Sequence, residues 1–319
     1  MRRKWSTLYA LNVGRGDSFA FELEAEGREP FRVLVDGGDE TEAVRVTPQQ
    51  FMTEKGWDRL DLMILTHIHW DHIIGLLRLA KEFKVAEAVL PYPAFRLPRL
   101  SEGEVVVLEA YDHFRLYEEL IELLQAQGTV IHYRPPFGER TEWTFGEFTF
   151  RHLSPVEGEP LPLYASIREL VTLGDQNQTP SAENAYALLH EYHVVSNRDS
   201  SIWLLERSSG ETAMKEQLIL LGGDALLDNW ERLLTREKLQ PRILKVSHHG
   251  KPDAIDANLV QRLKPDWLLI TNFVQECEEH AAIWAEISRA GNCPFFVTGE
   301  VPDTRWLMSE LPELPVREK

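Results

Sequence analysis

The segment HIHWDH, residues 67–72, sets three imidazoles and one carboxylate within six positions, with apolar runs on either side. Neutral imidazole and ionised carboxylate are preferred ligands for zinc and related divalent cations. His67 and His69 are two apart, so at a strand's end they project the same way, while Asp71 and His72 come round the next turn. Capping of a following helix would account for one such residue but not for four. A metal centre predicts more ligands at other strand ends, and the sequence supplies them. LVDGGD ends a strand at Asp36, LILLGGDA ends one at Asp224, and ILKVSHHGK ends one at His248 and His249. Asp36 alone also reads as a turn residue beside Gly37.

These residues need elements to hold them. Residues 6–13, 18–25 and 31–36 read as strands separated by turn signals. Residues 46–56 read as a helix with Thr47 as N-cap and Pro48 at its first position. Residues 60–66 form a buried strand and 73–83 a helix, which leaves the histidine cluster in the loop between them. A long amphipathic helix is expected over 108–128 and a strand pair over 143–155, followed by helices near 162–173 and 181–193. Strand–helix alternation returns after residue 200, with strands at 200–206, 216–223, 241–247, 266–271 and 294–298. Helices fill the gaps, including one over 278–290. Residues 91–142 and 156–197 read as insertions around one α/β core spanning 1–319, two sheets with helices outside.

The chain has 319 residues, 43% of them hydrophobic, which is ample for a core. Its net charge of −17 disfavours a general electrostatic grip on duplex DNA and favours a small or single-stranded substrate. A locally cationic site is still allowed, because bound metal ions dominate the charge of a pocket. Two sparse cysteines, Cys277 and Cys293, fit a reducing cytoplasm better than a disulfide framework. No signal peptide and no membrane span are expected.

LNVGRGDS, LVDGG, HIHWDH, SSIWLL, LLGGDA and LKVSHHGK, in that order, resemble the metallo-β-lactamase fold. More narrowly, they are similar to the hydrolase domain attached to the bacterial competence DNA-uptake channel and to its free-standing relatives. The similarity runs from about residue 6 to about residue 308 and is poor over 91–142 and 156–197. It implies a four-layer αββα sandwich carrying helical insertions and two divalent metal ions, Zn2+ with Mn2+ or Fe2+ as alternatives. Carried over by position, His67 and His69 would bind one ion, and Asp71, His72 and His248 the other, with Asp224 bridging. The family's further histidine on the first ion is missing, and His152 and Asp199 are the candidates to replace it. Asp36 and Asp17 would lie at or near the ligands.

Asp71 and His249 are the expected catalytic residues, His249 either donating to a substrate oxyanion, protonating the leaving group or packing beneath its loop. His113, His132, His190 and His193 read as helix faces or surface loops, and His280 as a solvated helix start. Aspartate at position 224, where lactam-hydrolysing relatives often carry cysteine, implies a dinuclear hydrolase using a metal-bound hydroxide. The leading substrate class is phosphodiesters, as in a nuclease or nucleotide phosphodiesterase. Carboxylic esters, thioesters or lactones are the alternative. A role within a larger assembly is the third reading, with a protein partner on the insertions, including LPYPAFRLPRL at 90–100.

Overall fold

The computed structural model describes residues 6–24, 27–39, 44–100, 105–176, 178–208, 215–291, 293–300, 304–311 and 315–318. Strands β1 (Thr7–Leu11), β2 (Phe19–Leu23) and β3 (Phe31–Val35) lead to α1 (Pro48–Lys55), β4 (Arg59–Ile64), α2 (Trp70–Glu82) and β5 (Lys84–Leu90). Next come α3 (Val105–Ala126), β6 (Val130–Tyr133), β7 (Glu142–Phe145) and β8 (Phe148–Ser154). Helices α4 (Pro162–Asp175), α5 (Ala182–Leu189) and α6 (Tyr192–Arg198) precede β9 (Ile202–Ser208) and β10 (Lys215–Leu221). The remainder is α7 (Leu227–Arg236), β11 (Ile243–Lys245), α8 (Ala257–Leu263), β12 (Trp267–Ile270), α9 (Val274–Glu279), α10 (Ala281–Gly291), β13 (Phe295–Val297), β14 (Trp306–Glu310) and β15 (Pro315–Glu318).

The strands form two sheets, ordered β15-β14-β1-β2-β3-β4-β5-β6 and β13-β12-β11-β10-β9-β8-β7. Alternation along each strand explains why they stack. In β1, Leu8 and Ala10 enter the core between the sheets, whereas Tyr9 and Leu11 enter the core beneath α1 to α6. In β9, Trp203 and Leu205 face the other sheet, whereas Ile202 and Leu204 face α7, α8 and α10. The result is helices, sheet, sheet, helices: the αββα sandwich expected from the sequence. Among the described residues no helix is long and apolar enough to cross a membrane.

Pairings β3–β4, β4–β5, β10–β11 and β11–β12 are parallel. Their carboxyl ends therefore share one rim of the sandwich, and the loops leaving β3, β4, β10 and β11 carry Asp36, His67, Asp224 and His249.

Several boundaries differ from expectation. Helix α2 begins at Trp70, so Asp71 and His72 occupy its first turn rather than a loop, and Asp71 sits where the helix dipole favours an anion. The helix expected over 181–193 is two, α5 and α6, and the one over 278–290 is likewise α9 and α10. Strands β6 and β7 use residues inside 91–142, so that segment is only partly insertion, and its residues 101–104 lie outside the described ones. Strand β14 returns to pair with β1, a long-range closure that local pattern does not reveal.

Helix α2 is seated by glycine. A Cβ on Gly75 would collide with the carbonyl oxygen of Gly37, and one on Gly37 with the backbone of Leu76. This contact fixes the loop carrying Asp36 against the helix carrying Asp71 and His72. Gly75→Ala is therefore expected to cost on the order of 1–3 kcal/mol, read as a thermal midpoint lowered by several degrees. An unchanged midpoint would contradict backbone-to-backbone seating.

Candidate metal centre

Two ligand groups face one another at the rim. His67, His69 and Asp224 form one, and Asp71, His72 and His249 the other, each with one donor atom per residue lying within 4.8 Å of the rest. All six residues are buried. Asp224 stands between the groups: its Oδ1 is 3.3 Å from His72 Nε2, and its Oδ2 is 3.4 Å from His249 Nε2 and 3.8 Å from His67 Nε2.

Neighbouring hydrogen bonds determine which nitrogen each ring offers. His72 Nδ1 is 2.9 Å from Asp36 Oδ2, and Asp36 also accepts from the Thr66 amide and hydroxyl. Nδ1 is thus the donor and Nε2 is left for a ligand role. His249 Nδ1 is 3.2 Å from Thr271 Oγ1, whose own proton goes to Asp17 at 2.6 Å, so His249 also presents Nε2. The Thr66 hydroxyl, already donating to Asp36, accepts from His67 Nδ1 at 3.2 Å. Carboxylate or hydroxyl support behind a ligating imidazole fixes its tautomer and raises its basicity.

Asp17 is held in turn by Lys245, a fully buried ammonium that also donates to the Gly223 carbonyl at 2.7 Å. Asp17 and Asp36 form a third acidic group with His72, but their oxygens are already engaged by Lys245, Thr271 and Thr66. They are read as supports rather than ligands.

Burial drives His67 well below the ordinary imidazole range and His69 down to about 3. Burial acts the same way on His72 and His249, but carboxylates more than reverse it. Asp224 and Asp36 hold His72 well above its usual value, and Asp224, Asp17 and Asp71 hold His249 at about 10. Asp224 stays well below the carboxylate range despite its burial, because His249 and His72 favour its ionised form.

The donor set fits divalent cations on an observation internal to the structure. His72 Nε2, His249 Nε2 and Asp224 Oδ1 are buried without a hydrogen-bond partner, all in one place. Buried polar atoms are seldom left so, and the shared cation a metal would bring satisfies all three. The cluster opens, through His69, Asp71, Asp224 and His249, into a cavity of about 290 Å³ whose lining also includes Arg15, Trp70, Glu109, His113, His193, His248, Lys251 and Asp253. A larger cavity of about 390 Å³ lies by Cys277 and Trp284 and has no histidine in its lining.

The Metallo-beta-lactamase superfamily model matches residues 15–162, a stretch that contains both HIHWDH and Asp36. The chain has the metallo-β-lactamase fold. A hydroxyacylglutathione hydrolase of Ruegeria pomeroyi is 32% identical over 153 residues, 45% of this chain and 53% of that protein. One from Photobacterium profundum is 26% identical over 169 residues, 53% of this chain and 63% of that protein. The chain thus spans between half and two thirds of the length of these curated relatives. The metallo-beta-lactamase fold protein YhfI from Bacillus subtilis aligns at 12% identity with a TM-score of 0.45, covering 92% of this chain and 96% of that one.

Within this metallo-β-lactamase fold, the structure corrects several expected site residues. His249, not His248, joins Asp71 and His72. Both histidines have left-handed backbone, at φ 49° and 54°, and Gly250 follows at φ 87°. That turn swings the second imidazole inward and the first outward. His248 Nδ1 lies 2.8 Å from Asp253, and its Nε2 is 3.1 Å from Lys251 Nζ and 3.2 Å from Asn197 Nδ2. His152 is not brought to the cluster: on β8 its ring packs edge-on against Trp203, with centroids 4.9 Å apart. Asp199 is also elsewhere, accepting from Tyr92 at 2.7 Å and from the first amides of α4 at 3.0 and 3.3 Å. It ties the insertion to the core, and burial raises its carboxyl to about 6.

Three participants escaped the sequence reading. Lys245 shows only as a lysine inside an apolar strand. His113 and His193 look like helix-face residues, yet α3 and α6 bring both to the cavity, where their rings lie 5.9 and 5.5 Å from that of His69. The spacing of Glu109 and His113 on one helix face was the available signal.

His249→Ala is expected to remove one bound divalent ion per chain, and His248→Ala to leave the number unchanged, as read by elemental analysis after dialysis. In the metal-free protein the stability His249 contributes is fully present below about pH 6.5 and lost as pH rises through about 10. Metal uptake near pH 7 must displace that proton, so calorimetry in buffers of different ionisation enthalpy is expected to show proton release. Proton-neutral uptake would contradict ligation by His249.

Proposed function

We propose that this chain is a dinuclear, divalent-metal-dependent hydrolase of phosphodiesters, acting on single nucleotide units or single strands. The observation that carries this reading is Asp224, a carboxylate standing between two buried imidazole groups. An oxygen bridge of this kind suits ions close enough to act on both the attacking and the leaving oxygen of a phosphoryl group. Such ions supply Lewis acidity, which makes water a nucleophile near neutral pH and neutralises charge on the phosphoryl oxygens.

The chain's own residues do the rest. His67, His72 and His249 present fixed tautomers, so none of these rings has to rotate during turnover. Arg15 and Lys251 line the cavity with positive charge against an otherwise acidic protein, and they orient an anionic group. His248 serves the cavity by positioning: its Nδ1 donates to Asp253 and its Nε2 accepts from Lys251 and Asn197, so it holds the Lys251 ammonium at the cavity. The strongly acidic surface disfavours long duplexes and leaves small or unpaired substrates.

A second reading is thioester hydrolysis on the same ions, and it rests on the two relatives named as hydroxyacylglutathione hydrolases. Assay of the zinc-, manganese- or iron-loaded protein on a bis-aryl phosphodiester, single-stranded DNA and RNA, cyclic nucleotides and an S-acylglutathione separates the two. Phosphodiester turnover that falls on the order of 100-fold or more in Asp224→Ala is the expected result. Turnover of the thioester alone would replace the first reading with the second, and no turnover of either by metal-loaded protein would refute both.

A further inference from the structure

The cavity is lined by two kinds of side chain. Arg15 and Lys251 bring positive charge to it, beside the carboxylates of Glu109 and Asp253, and Trp70, His113, His193 and Val194 bring rings and apolar surface. Trp70 and Val194 are 43% and 45% exposed, so two large apolar side chains face solvent at one mouth. The burial that an indole normally gains is forgone here, and an exposed apolar pair at a concave site marks a binding surface. Trp70 is the first residue of α2, between His69 and Asp71, so its backbone is fixed beside the metal ligands.

The rings are also braced from behind. His113 Nδ1 is 2.7 Å from the buried Tyr192 hydroxyl, and His193 Nε2 is 3.2 Å from Glu109. Each histidine thus has one nitrogen pinned and the other ring edge available. The Trp70 and His113 rings lie 6.3 Å apart at 38°, forming a tilted aromatic wall. The His69 ring lies 5.4 Å from that of Tyr192 and 5.5 Å from that of His193, and its Nε2 is buried without a hydrogen-bond partner.

We infer that this wall is a nucleobase subsite: Trp70 stacks the base of a nucleotide whose phosphate lies between the metal ligands and Lys251, while His113 and His193 offer hydrogen bonds to its edge. An anionic head beside Lys251 and a flat ring against the aromatic wall are the two halves of a nucleotide. This inference rests on the phosphodiester reading and narrows its substrate class. It also assigns the helical insertion, through α3 and α6, the role of building substrate specificity.

The test is calorimetric titration of the zinc-loaded protein with adenosine 5′-monophosphate and with ribose 5-phosphate, which share the phosphate and sugar but not the base. Stacking on one aromatic side chain predicts at least about tenfold tighter binding of the nucleotide. Trp70→Ala should bring the nucleotide to the affinity of the sugar phosphate and leave the latter unchanged, and Trp70→Phe should retain most of the difference. Equal binding of both by the unaltered protein, or an equal loss of both in Trp70→Ala, would overturn the subsite but not the phosphate site. Failure of the zinc-loaded protein to bind either would overturn the phosphodiester reading and the subsite with it.

Discussion

Four buried carboxylates crowd one rim of the sandwich: Asp17, Asp36, Asp71 and Asp224. Among the described residues Lys245 is the one permanent cation buried among them, so four negative charges against one positive leave three uncompensated. Burying charge without compensation costs several kcal/mol per ion even after relaxation. Everything else at the site follows from that imbalance. In the metal-free chain, His72 and His249 take protons that burial would otherwise deny them. In the proposed centre two divalent cations would take the place of those protons and bring the net charge of the group from −1 to +1.

The fold can carry such a cluster because it spreads the cost. Asp36, His67, Asp224 and His249 each leave the carboxyl end of a different strand, so no single loop holds more than a part of the repulsion. The hydrogen-bond supports are short and local: Thr66 to Asp36, Thr271 to Asp17 and Lys245 to Asp17. The close contact of Gly37 with Gly75 locks one support to the first turn of α2. Two consecutive histidines in left-handed backbone, each costing on the order of 1–3 kcal/mol, mark where the chain is strained to complete the second ligand group.

Much of this was legible in the sequence, because ligands at strand ends leave a local signature. HIHWDH, Asp36 and Asp224 each follow an apolar run, and the alternation of those runs announces two stacked sheets. What was not legible depends on backbone torsion or on distant pairing. Which of His248 and His249 turns inward is decided by φ angles that either residue could adopt, with only Gly250 as a hint. Asp199 and His152 carry ligand-type side chains at strand and helix ends, yet Asp199 is consumed as a cap for α4 and His152 by packing on Trp203. The closure by β14, and the arrival of His113 and His193 at the cavity, come from contacts across long stretches of chain.

The central claim is that the two buried groups hold two cations through His249 and not His248. Anomalous diffraction from crystals of metal-loaded protein, recorded at the absorption edge of the bound metal, tests it most directly. The account predicts two peaks, one among His67, His69 and Asp224 and one among Asp71, His72 and His249, with Asp224 reaching both. A peak held by His248, or a single peak between Asp17 and Asp36, would contradict it.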